Sequence, residues 1–138
     1  MKIFFSTVVI FLLSYTASLA QKEQHKIIYD FTKGDTSSFS TVVRQLKSVL
    51  NAVPDAKIEV VCHGPGLNML VTTKSNVKQE IEELKTKYSV VFAACANAMR
   101  RKNINKSQLL SQAVIVPAGI VEISTLQLSG WSYIKGGD

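Results

Sequence analysis

Apolar positions along the chain alternate between short β-rich runs and stripes at helical spacing. HKIIYDF, residues 25–31, is the first such run and ends near Phe31. Phe39, Val42, Val43, Leu46, Val49, Leu50 and Val53 then recur at helical spacing and give one continuous apolar face. Asp35, Thr36, Ser37 and Ser38 supply N-cap oxygens before that stripe, and Pro54 stops it. KIEVV predicts a second strand ending at Cys62. HGPGLNM, whose glycines and proline cannot continue a strand, predicts a loop. Asn76 and Gln79 form an approximate capping pair ahead of a second helix. Along it Val77, Ile81, Leu84 and Tyr88 share one side, while Glu83 and Lys87 stand in the favourable i,i+4 order on the wet side. SVVFAA has no polar alternation, which suits a strand buried on both faces. A short helix is expected from about Ala96, a fourth strand over AVIVPAG, a further segment from Ile120 to about Leu128, and a last strand at WSYI.

Strand–helix alternation at these lengths predicts an α/β sandwich with a mainly parallel central sheet of about five strands. No repeat, low-complexity segment or linker interrupts it. Residues 21–138 therefore read as one domain.

Residues 1–20 read differently. Lys2 precedes the apolar run IFFSTVVIFLL, and small residues close it at Ser18-Leu19-Ala20, the pattern of a secretory signal peptide cleaved after Ala20. The mature chain would begin at Gln21, be secreted or periplasmic, and carry no membrane segment. An uncleaved anchor is the competing reading, because the run approaches the ~20 apolar residues that span a bilayer.

A formal charge of +6 is spread as lysines among glutamates, without a basic tail or an aromatic-interleaved basic stripe, which argues against nucleic acid. Cys62 and Cys95 are the whole cysteine supply, fewer than disulfide-dependent secreted scaffolds use. No C-x-x-C or H-x-x-x-H spacing marks a metal site, GPG is not a dinucleotide fingerprint, and no serine elbow is present. No metal or cofactor is expected.

In a parallel sheet, ligands collect outside the carboxyl ends of the strands. Cys62 ends the second strand and Cys95 the third, so the HGPG, CANA and PAG turns belong to one shallow rim. A thiol at a helix start meets free N–H groups and the positive end of the helix dipole, which favour thiolate. Arg100 and Arg101 add positive potential within two turns. The competing reading of Cys95 is a small buried residue. Cys62 is a possible second thiol, or simply the last residue of its strand. His63 is a candidate base or proton donor, although strand neighbours point to opposite faces and adjacency alone does not bring it to Cys62. His25 reads as an exposed strand start. On neighbouring strands the two cysteines would lie about 4.8 Å apart, within disulfide reach; two free thiols with an optional bridge are expected. The nearly all-apolar AVIVPAGIVEI predicts surface that one copy leaves uncovered, hence a homo-oligomer.

"VVCHGPGLNML", "VVFAACANAMRRKNI" and "VIVPAGIVEISTLQLSGWSYIKGG" together resemble the DsrE/DsrF-like family, particularly its stand-alone members with an AC-x-N-x-M segment and a closing GW-x-YIK. The resemblance implies a three-layer α/β/α fold, often in homotrimers or hexamers. It also implies that Cys95, in the loop after the third strand, stands where relay members carry a persulfide, with Asn97, Arg100 and Arg101 as supporting residues. Cys62 has no counterpart there. Two departures stand out: relay members are cytoplasmic and work with partner subunits, and CANAM replaces their alanine-rich segment.

The leading expectation is thus a secreted or periplasmic persulfide carrier acting through Cys95, at most sulfurtransferase-like, exchanging sulfur with a donor or acceptor protein or a small thiol. A non-catalytic binding module for a small ligand or protein is the alternative, and a Cys62–Cys95 staple a third reading.

Overall fold

The computed structural model describes residues 23–138. The predicted leader Met1–Ala20 and the predicted mature start at Gln21 lie outside these residues. Strands β1 (Lys26–Phe31), β2 (Lys57–Cys62), β3 (Val91–Cys95), β4 (Ala113–Val116) and β5 (Ser132–Lys135) form one sheet in the order β4-β3-β2-β1-β5. Every pairing is parallel, so the mainly parallel sheet is wholly so. Helices α1 (Thr36–Ala52), α2 (Lys78–Tyr88), α3 (Ala96–Arg101) and α4 (Gly119–Leu128) connect the strands.

Helix α1 forms where its apolar stripe and its cap coincide. Asp35 accepts from the Ser38 backbone N–H at 2.9 Å and from the Ser37 and Ser38 hydroxyls, which pull its carboxyl down to about 2. Phe39, Val42, Val43, Leu46 and Leu50 are buried, each stabilising the fold by about 1.5–3 kcal/mol of transfer free energy. Val53 caps the helix just before Pro54.

Strand order explains the layering. The chain steps in one direction from β1 to β4, then returns past all of them to β5. Crossovers of one hand therefore put α1, α2 and α3 on one face and α4 alone on the other. Two buried clusters match these faces. The larger holds Phe31, Leu46, Val60, Leu84 and Phe92; the smaller holds only Ile28, Val61, Ala93, Val116 and Ile123. The fold is the expected three-layer α/β/α sandwich with a thin third layer.

Several local expectations change. The predicted loop HGPGLNM folds as His63 followed by a 3-10 helix, Gly64–Leu70, whose Gly66, Leu67, Met69 and Leu70 are buried. Gly66 is required there: a Cβ would lie 2.2 Å from the Phe31 carbonyl oxygen. Asn76 does not cap α2, which has Val77 at its N-cap; its amide donates instead to Thr36 O and Ser40 Oγ, tying the loop to α1. Glu83 pairs with Lys47 of α1 at 3.2 Å, and Lys87 lies 5.0 Å over the Tyr88 ring. A cross-helix partner within reach outcompetes the exposed i,i+4 pair. The segment from Ile120 proves to be the α4 helix, which starts at Gly119.

Candidate functional site

The carboxyl edge of the sheet carries the chemistry, and β-sheet phase assigns it to one face. Asp30, Val61 and Ala93 stand side by side on β1, β2 and β3, with Lys135 beside Asp30 on β5. Ile28, Val61 and Ala93 belong to the smaller cluster under α4. Two residues beyond Val61, His63 keeps the same phase, and its N–H continues the ladder by donating to Phe31 O at 3.1 Å. Cys62 pairs with Ala94, so continuing that register sets His63 beside Cys95. Sequence alternation separates His63 from its neighbour Cys62 but names no other partner for it. The fold brings it to Cys95.

Gly119 joins the two. Its N–H, at the start of α4, donates to Cys95 Sγ over 3.2 Å. A Cβ on Gly119 would lie 3.1 Å from His63 Cβ and 3.3 Å from His63 Cγ. Thiol and imidazole therefore flank the same side-chain-free residue. This explains the glycine of the PAG turn on packing grounds.

Beyond His63 the row continues through residues that no local motif marks. Asp30 Oδ1 lies 2.7 Å from His63 Nε2. Asp30 Oδ2 accepts from Tyr133 OH at 2.6 Å and from Lys135 Nζ at 3.1 Å, and Lys135 also donates to Thr32 Oγ1 at 3.0 Å. Burial alone would raise the Asp30 carboxyl, but the bonds from Tyr133, His63 and Lys135 outweigh it and hold the group below its ordinary value. The reciprocal effect pushes the Tyr133 hydroxyl up to about 12, chiefly through its bond to Asp30. Since an ionised carboxylate only accepts, the Asp30 contact fixes the proton of neutral His63 on Nε2 and leaves Nδ1 as the open nitrogen.

The two cysteines are free and unlike. Cys62 is fully covered, its side chain on the opposite sheet face with Ile58 and Val60, and burial pushes its thiol far up. Cys95 is 4% exposed, in phase with Ala93 along β3 yet packed at the edge of the larger cluster with Ala98 and Met99; it is the N-cap residue of α3 but its thiol makes no cap hydrogen bond there. Cys62 pairs with Ala94 rather than with Cys95, so the two thiols are offset by one residue along neighbouring strands and alternate in phase. Arg100 donates to Asn97 Oδ1, one turn along α3, rather than to Cys95; both arginines are exposed. They close the last turn of α3, and neither donates to the thiol.

Elsewhere, an open groove of about 340 Å³ lies at the amino edge between Ile58, Tyr88, Val91 and Trp131, away from both cysteines. Under α4, Glu59 is buried; that burial and then the nearby charge of Glu122 raise its carboxyl to about 7. Among the described residues, no group of three or more His, Cys, Asp or Glu is arranged to hold a metal ion. No helix among them is long and apolar enough to cross a membrane.

With this geometry established, comparison with known proteins decides the family. The sequence pattern of the DsrE/DsrF-like family matches residues 8–135. The chain belongs to the DsrE/DsrF-like family. A solved structure of a protein of unknown function, MTH1491 from Methanobacterium thermoautotrophicum, superposes with a TM-score of 0.76 at 25% identity, covering 81% of this chain and 99% of that one. The ychN protein from E. coli shares the fold, with a TM-score of 0.65 at 13% identity over 83% and 98% of the two chains. The comparison with curated proteins returns no match. DsrE/DsrF-like membership suggests a function related to sulfur relay and is consistent with the parallel sheet and the cysteine at the end of β3.

Proposed function

We propose that this DsrE/DsrF-like protein carries sulfane sulfur on Cys95. The observation that supports it most is the Gly119 N–H aimed at Cys95 Sγ, a backbone donor placed for a sulfur anion at the carboxyl edge of the sheet. In the first half-reaction the Cys95 thiolate attacks the outer sulfur of a persulfide donor. A bond forms between Cys95 Sγ and that sulfur, the donor's S–S bond breaks, and the donor leaves as a thiolate that takes up the proton Cys95 gave away. An acceptor thiolate reverses the sequence. No external oxidant enters, because the oxidising equivalent moves with the sulfur. Small residues at Ala94, Ala96 and Ala98 keep bulky side chains out of the chain segment around the thiol, which itself is 4% exposed. Asn97, Arg100 and Arg101 form the outer rim that meets the donor. Cys62 takes no part.

The test is sulfide release: protein incubated with polysulfide, desalted and treated with a dithiol should yield sulfide. Cys95→Ser should abolish the yield and Cys62→Ser keep it; release that survives Cys95→Ser would overturn the reading.

The proposed setting is outside the cytoplasm, after removal of residues 1–20, and in a homo-oligomer. Self-association is supported by exposed apolar side chains on the α4 layer: Ile120 (71%), Val121 (63%) and Leu128 (89%).

A further inference from the structure

We infer that Asp30 is a positioning residue that makes His63 Nδ1 the proton acceptor for Cys95, so that thiol, imidazole and carboxylate work as one proton relay across β3, β2 and β1. The inference rests on the reading of Cys95 as the reacting thiol. It names the groups that control its proton.

Four features converge on it. Register places His63 beside Cys95, the Gly119 N–H donates to Cys95 Sγ, and a Cβ at Gly119 would meet His63. Asp30 accepts from the far ring nitrogen of His63 at 2.7 Å, which fixes the tautomer and holds the ring. Asp30 is in turn held by Tyr133 and Lys135, residues of β5 that pair with Ile28 and Asp30 and share their face. The strand order reverses between β1 and β5, the point in an open parallel sheet where sites form. A purely structural ion pair needs neither the thiol in register nor the glycine between them.

Charged and titratable groups around the imidazole are few. Asp30 faces it from β1, Tyr133 and Lys135 stand behind Asp30 on β5, and Cys95 adjoins it from β3. Helix α4 meets it through Gly119, with Glu122 one turn further along. In the relay, the Cys95 proton moves to Nδ1, Sγ keeps the electron pair, and the imidazolium lies between thiolate and carboxylate. The proton then goes to the departing donor sulfur. Asp30 keeps its charge throughout.

The pH dependence of Cys95 alkylation by iodoacetamide, followed by peptide mass, tests this without requiring sulfur transfer. At neutral pH His63→Asn should slow Cys95 by about 10²-fold, the lower end for a positioned base. Asp30→Asn should slow it by about tenfold, typical of a residue that orients another. Both deficits should shrink above pH 9. Tyr133→Phe, at an exposed position that the fold tolerates, should give a smaller loss. Nitrogen NMR should show His63 as the Nε2–H tautomer in the parent and a mixture in Asp30→Asn. If both variants follow the parent at every pH while Cys95 still takes up sulfur, the relay is overturned and the carrier reading stands. If alkylation depends on His63 and Asp30 but no sulfur is taken up, the carrier reading fails and the relay stands.

Discussion

Gly119 donates its backbone N–H to Cys95 Sγ over 3.2 Å, linking the first turn of α4 to the end of β3. A side chain at 119 would have to displace His63 or Val61, whose Cγ1 would be 3.2 Å from a Cβ there. Gly119→Ala should therefore cost about 1–3 kcal/mol of stability by overpacking. It should also slow Cys95 alkylation, because the donor and the imidazole move together. Denaturant unfolding with peptide-mapped alkylation checks both; an unchanged alkylation rate in a destabilised variant would separate packing from chemistry.

The two thiols should differ in the folded protein. Cys62 lies inside the larger core cluster with its thiol pushed up by burial, so it should resist iodoacetamide until the chain unfolds. Cys95 should be modified first. In strong denaturant the two rates should converge, and equal slow rates in the native state would deny Cys95 any special environment.

Glu59 makes stability fall with rising pH. Burial and the charge of Glu122 hold its folded carboxyl at about 7, against 4.5 when unfolded. Between these values the native state keeps a proton that the unfolded chain has lost, so stability is full at acid pH and declines as pH rises through 7. Glu59→Gln should raise stability at pH 8 by about 1–2 kcal/mol, a discounted share of the ~1.4 kcal/mol per pH unit because the carboxyl keeps some hydration. Near pH 4.5 it should change nothing. Thermal melts of both proteins at the two pH values decide it.

Self-association should depend on α4. Light scattering at micromolar concentration should show an oligomer, and Ile120→Asp with Leu128→Asp should convert it to a monomer that keeps its secondary structure. Both side chains are exposed in the single chain, so neither substitution opens a cavity. An oligomer unaffected by the pair would move the interface elsewhere.

Much of this was legible in the sequence, for identifiable reasons. Helix α1 announces itself through a long stripe and a serine-rich cap, and Cys95 through an apolar run that ends in small residues. The row from His63 to Lys135 was not legible beyond its histidine. Asp30 occupies a polar position of a short strand, and Tyr133 and Lys135 lie 103 and 105 residues further on. Only the pairing of β1 with β5 joins them. Phase mattered equally: Cys62 and His63 are neighbours in sequence, yet sheet alternation sends them to opposite faces and hands His63 to Cys95. An aspartate in the penultimate position of the first strand, with a Tyr-x-Lys in the last, was the available signal. The missed cap at Asn76 and the missed Glu83–Lys47 pair have one cause, since tertiary partners replaced local ones.

The central claim is that Cys95 holds transferable sulfur. Peptide-resolved mass spectrometry of the folded protein after exposure to polysulfide, with free thiols blocked afterwards, tests it most directly. The account predicts an added sulfur atom on the peptide containing Cys95, none on that containing Cys62, and loss of the addition after treatment with a dithiol. An unmodified Cys95 peptide under conditions that load a free thiol, or sulfur on Cys62 instead, would contradict it.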